Sequence, residues 1–352
     1  MKLDEQLFRL LIDNVLSNCC SLQDYSANLR KLIRKFRDNK ISLKLLASTN
    51  LPFKENIEPY IVEDEQQQKE WIETFALVSR LLRQKGIIHV FIKIFRHPWA
   101  IMSDVDILPL NPTEELKALE VLHDAGFHFF QVRILVHPLR VLPLKICARK
   151  FNASLFVDFY PKPVWTRKIV HENEIIISRR QISEVHGIEA YVPSPEDDLY
   201  LVATHAYNDF KIPLASILHG LKVISYKFDW EYLFNLAQSY GTLDAVYVYL
   251  RALEVYSAGY LGESMISKDI LERYEMYKIC RSIKKWFEKT YEKRLDFPIT
   301  IPIKLGSIYS SFYHCGTLLG CVSLSELLYD FLSHYYTPLA LLLNELRKES
   351  KD

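Results

Sequence analysis

The chain of 352 residues is long enough for two or three packed units, and its composition, 49% hydrophobic and 25% charged, is that of a folded protein rather than a disordered one. Its 44 Lys and Arg residues nearly balance its 43 Asp and Glu residues, so the net charge of +1 excludes a surface that is basic all over but allows a local basic groove. None of the ten glycines completes a G-x-G-x-x-G or G-x-x-x-x-G-K spacing, which excludes the dinucleotide-binding fingerprint and the P-loop.

The cysteine spacing, the N-terminal residues and the length of the apolar runs indicate a cytoplasmic protein. No two of the six cysteines have the Cys-x-x-Cys spacing of a zinc ribbon or a redox pair, and we expect reduced thiols. Two acids precede the first apolar run, unlike a secretory signal, and no run of 18 apolar residues is present. We therefore expect a cytoplasmic protein with no membrane partner.

The first region, residues 1–86, has the periodicity of helices. Leu29, Leu32, Ile33 and Phe36 form one apolar stripe at positions i, i+3, i+4 and i+7, with basic residues between them. A second helix is predicted over residues 64–85, ended by a glycine. We expect an N-terminal helical region.

The second region, residues 87–193, has the pattern of strands with one clear helix. Residues 87–95 and 104–110 are rich in β-branched and aromatic side chains and predict two strands. The helix that follows has Asn111 as its cap and a proline at its first position, and Gly126 ends it. Further strands are predicted over 127–133, 141–147 and 154–160, and two short strands between 175 and 192.

The third region, residues 194–352, is predicted to be helical. Ser194 has the position of a cap, Pro195 that of the first helical residue and Asp197 that of the third. Helices are predicted at 195–208, 212–226, 229–239, 241–258, 267–291, 305–312 and 323–348. The whole pattern predicts an α/β (α+β) fold with a mixed sheet, flanked by an N-terminal helical segment and a C-terminal helical domain.

Two acids on one predicted strand are the sharpest chemical signal. Asp104 and Asp106 are separated by one residue, so their side chains lie on the same face of the strand, while Val105 and Ile107 face the core. Two adjacent carboxylates repel unless a cation lies between them, and Mg²⁺ prefers such oxygen ligands. The alternative is a strand end with two solvated acids.

A third acid and two cations extend this signal. Asp158 is the single charge in the apolar segment 155–160, where an acid is costly unless it is paired or bound to a metal; the alternative is a partner for a neighbouring Lys or Arg. Lys93 and Arg96 flank the loop before the acid pair. Both can hold a triphosphate if the two strands are neighbours, or form structural ion pairs with the same acids.

Taken in order, these residues resemble the DNA polymerase beta-type nucleotidyltransferase superfamily, in particular nucleotidyltransferase-like proteins with a helical tail. The matching segments are Lys93, Ser103-Asp104-Val105-Asp106-Ile107-Leu108, Ala125-Gly126-Phe127, Val157-Asp158-Phe159-Tyr160, Ser194-Pro195-Glu196-Asp197, His205 and Phe228-Asp229-Trp230-Glu231. The resemblance implies a nucleotidyltransferase-like core over residues 87–193, between the helical regions 1–86 and 194–352.

The implied reaction is transfer of a nucleoside monophosphate from an NTP to an acceptor hydroxyl. By resemblance, Asp104, Asp106 and Asp158 are catalytic and hold two Mg²⁺ (or Mn²⁺) ions. The acceptor stays open: a sugar or other small alcohol, a protein hydroxyl or an RNA end.

The loop before the acid pair departs from the superfamily. Its members usually have a Gly-Ser turn that grips the triphosphate, whereas residues 94–103 contain no glycine. Nucleotide binding would then depend on Lys93, Arg96 or Ser103. Two alternatives follow, a catalytically inactive binding or regulatory module and a metal-dependent phosphohydrolase that uses the same acids.

Two further features have simpler interpretations. His205 matches a family position, but a buried or capping histidine is the more common case. Basic and aromatic residues in the segments 30–37 and 273–294 could hold nucleic acid, whereas interspersed acids favour solvated amphipathic helices.

Overall fold

The computed structural model describes residues 25–48, 54–95, 97, 99–137, 140–150, 153, 155–165, 168–169, 171–291 and 298–301. Within these ranges the chain is a mixed α/β protein with one five-stranded sheet and ten α-helices. The predicted helices at 305–312 and 323–348 lie outside the described residues. No helix in the described ranges has the length and apolar character that crossing a membrane requires.

The helices are α1 (Tyr25–Asp38), α2 (Lys54–Gln84), α3 (Pro112–Asp124), α4 (Asn173–Ser178), α5 (Pro195–Asn208), α6 (Leu214–Ile224), α7 (Trp230–Ser239), α8 (Leu243–Leu261), α9 (Lys268–Glu275) and α10 (Lys278–Tyr291), with a 3-10 helix at Leu43–Ser48. The strands are β1 (His89–Ile92), β2 (Asp104–Pro109), β3 (Phe127–His137), β4 (Arg140–Lys150), β5 (Phe156–Phe159), β6 (Val164–Trp165), β7 (Lys168–Ile169), β8 (Gln181–Val185), β9 (Ile188–Val192), β10 (Lys211–Ile212) and β11 (Ile299–Thr300).

The main sheet has the strand order β1-β2-β5-β4-β3. Strands β2 and β5 are parallel, and the other neighbouring pairs are antiparallel. Helix α2 packs on this sheet through Phe75, whose ring meets the Phe91 ring edge-on at 4.8 Å between centroids. Because the central strands are buried on both faces, a polar side chain among them must find a partner inside the protein.

The N-terminal segment joins the sheet to the C-terminal helices. After α1 the side-chain carbonyl of Asn39 accepts a hydrogen bond from the Leu214 backbone amide at 3.1 Å. Its backbone carbonyl accepts from the Ala215 amide at 3.2 Å. The loop before β2 bonds to the same segment, since Ile41 forms an isolated β-bridge with Ala100. Residues 39–42 therefore connect all three predicted regions.

Both predicted helix starts are confirmed. The Asn111 side chain accepts from the Glu114 amide, and the Ser194 side chain accepts from the Asp197 amide, so each cap satisfies a donor that the helix leaves open. The two short strands around His186-Gly187 are also confirmed as β8 and β9.

Four predicted elements differ from the structure in their bounds or type. Strand β1 ends at Ile92 rather than at residue 95, because Lys93 has a φ of +55° and a left-handed residue breaks the ladder. Residues 175–178 are helical in α4, where packing of Ile176 and Ile177 in the core overrides the strand preference of an isoleucine run.

Helix α2 starts ten residues before the predicted position 64. Asp64 does not cap it; its carboxylate accepts from the Leu43 amide at 2.6 Å and holds the 3-10 helix against α2. The predicted helix over 267–291 is two helices, α9 and α10. The guanidinium of Arg281 donates to the backbone carbonyls of Glu275 and Met276 at the break, where helical carbonyls lack partners.

Candidate metal and nucleotide site

Two neighbouring strands bring the three predicted acids together. Asp106 on β2 lies directly opposite Asp158 on the parallel strand β5, and Asp104 is two residues earlier on the same face. Val105 and Ile107 point the other way and are fully buried. One oxygen from each of the three carboxylates lies within 4.8 Å of the others, a spacing that allows a shared cation.

Burial makes this cluster electrostatically costly. Only 3% of Asp106 and 1% of Asp158 is exposed, while Asp104 is half-buried. Burial, reinforced by the negative charge of Asp104, raises the pKa of Asp106 to about 7 despite the opposing effect of Lys93. A divalent cation between the carboxylates would offset this repulsion.

The donor set fits an oxygen-preferring divalent cation. Among the described residues, Oδ1 of Asp106 and Oδ1 of Asp158 are buried without a hydrogen-bond partner. A buried carboxylate oxygen left unpaired is unfavourable, and Mg²⁺ or Mn²⁺ bound by carboxylates would satisfy it. Asp104, Asp106 and Asp158 are thus the residues that would hold the ion.

Two lysines occupy the remaining oxygens of the buried acids. Lys93 Nζ lies 2.9 Å from Asp106 Oδ2, and only 10% of the Lys93 side chain is exposed. Lys145 Nζ binds Asp158 Oδ2. Both ion pairs are the structural alternatives that the sequence left open, and a phosphate-binding role of Lys93 stays a prediction.

An aromatic ring and a histidine surround the Lys93 ammonium. Nζ of Lys93 donates to the Tyr160 hydroxyl at 3.2 Å and lies 3.5 Å from His205 Nε2. Burial, with the nearby charge of Lys93, lowers the pKa of His205 well below its ordinary value, so the imidazole is neutral and its Nε2 can accept a hydrogen bond from the ammonium. His205 is half-buried and faces the site rather than capping its helix.

Asp104, Asp106 and both lysines line a pocket of about 350 Å³, whereas the buried Asp158 adjoins Asp106 and is not part of the lining. Its walls come from all three predicted regions, and its cations are Arg37, Lys40, Lys93, Lys145 and Lys211. The sequence predicted only Lys93 as part of this site and placed Arg37 in a basic segment, 30–37, because the other four are distant from the acid pair along the chain. Their one sequence signal was positive charge, which they share with dozens of surface residues.

Strained backbone surrounds the pocket. Of the four non-glycine residues with positive φ in the described ranges, Lys40 (53°) and Lys93 (55°) line the pocket, and Phe210 (52°) lies between its lining residues Asp209 and Lys211. Such conformations cost energy and cluster at functional sites. They agree with the choice of this pocket as the candidate functional site.

The loop without glycine is held by the N-terminal segment. The Ile101 amide donates to the Lys40 carbonyl at 2.9 Å, and the Ser42 amide donates to the Trp99 carbonyl at 2.9 Å. Ser103 is exposed, and its hydroxyl donates to Asp104 Oδ1 at 3.1 Å. Arg96, the other predicted phosphate ligand in this loop, lies outside the described residues.

Helix α2 supports the strand that carries the acid pair. The indole N–H of Trp71 donates to the backbone carbonyl of Asp104 at 2.8 Å, and its ring stacks on Phe75 at 4.9 Å. The sequence predicted the helix that contains Trp71 but no partner for its indole. Its hydrogen bond could not be inferred from sequence because the partner lies 33 residues away.

The basic segment of the C-terminal region lies apart from the pocket lining. Arg273 forms an ion pair with Glu231, and Lys284 Nζ lies 2.7 Å from Glu275 Oε2. Cys280, Ile283 and Phe287 form the buried face of α10. These pairs and this face favour a solvated amphipathic helix over a nucleic-acid surface.

No protein-family model matches this sequence, and no curated protein matches it in a sequence search. The resemblance to nucleotidyltransferases therefore depends on the ordered motifs alone. The geometry of the acids is an independent observation, since it follows from the sheet register and not from the resemblance.

Proposed function

We propose that this protein has a nucleotidyltransferase-like core and transfers a nucleoside monophosphate from a nucleoside triphosphate to an acceptor hydroxyl. The observation that carries the proposal is the convergence of Asp104, Asp106 and Asp158 next to a pocket that the first two acids and five cations line. Three carboxylates, two of which have a buried oxygen without a partner among the described residues, suit a divalent cation, and the surrounding cations suit a polyphosphate.

The pocket has the size and charge for a metal-bound nucleotide. Its volume of about 350 Å³ is within the range of small-molecule sites. Lys40 contacts the Phe95 ring at 5.7 Å and, within the described part of the chain, has no carboxylate partner, so its charge is available to an anionic ligand. Lys40 thus takes part of the role of the missing Gly-Ser turn.

The reaction is an in-line displacement at phosphorus. A bond forms between the acceptor oxygen and the α-phosphorus, while the bond from that phosphorus to the oxygen bridging the α- and β-phosphates breaks. Pyrophosphate leaves with the electron pair, and the acceptor proton passes to solvent on the Asp158 side of the site. A bound divalent cation supplies charge stabilisation for the transferred phosphoryl group.

The residues beside the acids orient the nucleotide. Lys93 is fixed by Asp106, Tyr160 and His205, so its ammonium is held at the pocket wall rather than free to rotate. The small open pocket favours a sugar, another small alcohol or a flexible protein or RNA end as acceptor, because each can present a single hydroxyl.

One observation favours a second function, nucleotide binding without turnover. Lys93 and Lys145 already neutralise two of the three acids. If these neutralised acids attract no divalent cation when a nucleotide binds, the site would retain the nucleotide and not activate an acceptor.

Labelled nucleotides separate these functions. The protein is incubated with Mg²⁺, a lysate fraction as acceptor source, and each NTP labelled either at the α- or at the γ-phosphate. A nucleotidyltransferase moves the α-label into an acceptor and releases the γ-label as pyrophosphate. A phosphohydrolase releases the γ-label as inorganic phosphate, and a binding module retains both labels.

The control is Asp106→Asn, which removes one charge at nearly constant shape. We expect no transfer with this variant. Transfer that persists in it at the wild-type rate would contradict the assignment of the site.

A further inference from the structure

Strand register places Lys145 beside Asp158. Cys147 on β4 lies directly opposite Asp158 on β5, and Lys145 is two residues from Cys147, so all three side chains lie on one face of the sheet. Lys145 Nζ binds Asp158 Oδ2, and 26% of the lysine side chain is exposed. The ammonium therefore reaches the buried acid from the pocket side.

The carboxylate oxygens suffice for one cation. Asp106 Oδ2 is paired with Lys93, Asp158 Oδ2 is paired with Lys145, and Asp104 Oδ1 accepts from Ser103. Three oxygens are left for a cation. Oδ1 of Asp106 and Oδ1 of Asp158 have no hydrogen-bond partner among the described residues, and the third is Oδ2 of Asp104. A pair of metal ions bridged by the acids would need oxygens that the lysines occupy.

The charges of the acids and lysines also predict a single bound cation. With all three acids ionised, as binding of a cation requires, the three carboxylates and two ammonium groups have one net negative charge. One divalent cation reverses its sign, whereas a second cation would lie close to Lys145 and Lys93 as well as to the first. Like charges at such separations in a mostly buried site repel strongly.

We infer that the Lys145 ammonium occupies, on Asp158, the position of a second divalent cation, so that the site binds one metal ion per chain. The inference rests on the proposed function, because Asp158 is the acid nearest the acceptor in that reaction. Lys145 there stabilises the negative charge that develops on the attacking oxygen. It is fixed to the protein, so the acceptor side needs no second ion.

Counting Mn²⁺ ions tests this inference without measuring activity. The full chain is dialysed to equilibrium against Mn²⁺ and a saturating NTP analogue with a methylene group between the α- and β-phosphorus, and Mn²⁺ in excess of the dialysate is measured per chain. We expect one ion for the wild type and for Lys145→Arg, which keeps the charge. We expect two ions for Lys145→Met, which frees Asp158.

Lys150→Met is the matched control, because Lys150 lies on the same strand and is not part of the pocket lining. It should bind one ion, and circular dichroism should show each variant folded. Lys145→Gln replaces Lys145→Met if the latter does not fold.

The outcomes separate the inference from the proposed function. The role of Lys145 is overturned if the wild type binds two ions or if a folded Lys145→Met chain binds one. Neither result contradicts nucleotidyl transfer. No Mn²⁺ and no analogue retained by the wild type overturn the metal site itself, and the proposed function with it.

Discussion

Replacing Asp106 with asparagine tests the electrostatic cost of the acid cluster directly. In metal-free protein, burial and the charge of Asp104 raise the pKa of Asp106 from 3.8 to about 7. The unfolded chain has the ordinary pKa, so it releases the proton at lower pH than the folded protein does. Between these two pKa values Asp106 is ionised in the unfolded chain and protonated in the folded protein, so the free energy of unfolding falls as the pH rises.

The sign and the size of the effect follow from the two pKa values. Because the folded pKa is raised, the stabilising contribution of protonated Asp106 is complete below pH 3.8 and is lost as the pH rises through about 7. The whole effect is about 4 kcal/mol, of which about 2 to 3 kcal/mol falls between pH 5 and pH 8. Asp106→Asn lacks this loss, although it also removes the partner of Lys93 at every pH.

Urea unfolding at several pH values in the presence of a chelator measures the difference. We expect the free energy of unfolding of the wild type, relative to Asp106→Asn, to fall by about 2 to 3 kcal/mol from pH 5 to pH 8. Mg²⁺ added at pH 8 should then stabilise the wild type and not the variant. Asp124→Asn is the control, because 87% of that side chain is exposed. Parallel profiles for wild type and Asp106→Asn would refute the reasoning.

Three further predictions concern single side chains. Lys40→Gln should weaken NTP binding about tenfold, a change of about 1.4 kcal/mol, and leave NMP binding unchanged in calorimetry, because in the proposed site its ammonium would contact the β- and γ-phosphates. Equal losses for both ligands would make the role of Lys40 structural. Trp71→Phe should lower the free energy of unfolding in urea by about 1 to 3 kcal/mol and weaken Mn²⁺ binding, because the backbone carbonyl of Asp104 loses its hydrogen-bond donor. Unchanged Mn²⁺ affinity would contradict the role of Trp71 in supporting the site. Burial lowers the pKa of His89 from 6.5 to about 4, so the neutral imidazole stabilises the folded protein less and less as the pH falls through this window. Between pH 7 and pH 5 the wild type should lose about 2 kcal/mol of unfolding free energy relative to His89→Leu. Identical urea profiles for the two proteins would argue against this shift.

Local chemistry of the sequence determined several features without help from the fold. The caps at Asn111 and Ser194 depend on atoms three residues apart, so their pattern is readable from the chain and the structure has both. The alternation that separates Asp104 and Asp106 from their apolar neighbours depends only on the two-residue period of a strand. Strands, helices and the pair of acids could therefore be predicted from short windows.

Other features depend on contacts between distant residues. The left-handed turn at Lys93 shortens β1, and packing of Ile176 and Ile177 makes a helix where the isoleucine run favours a strand. Local propensities are small, about 1 kcal/mol, so burial of apolar side chains overrides them.

The candidate site also combines features set by local sequence with features set by contacts between distant residues. The sequence by itself determined which acids could hold a metal, because their spacing and their apolar surroundings lie in short segments. Only the tertiary structure decided that Lys145 pairs with Asp158 and that Lys40 and Lys211 join Lys93 around one pocket. The physical reason is that an ion pair or a pocket wall needs proximity in space, and register and helix packing set that proximity across more than 150 residues of chain.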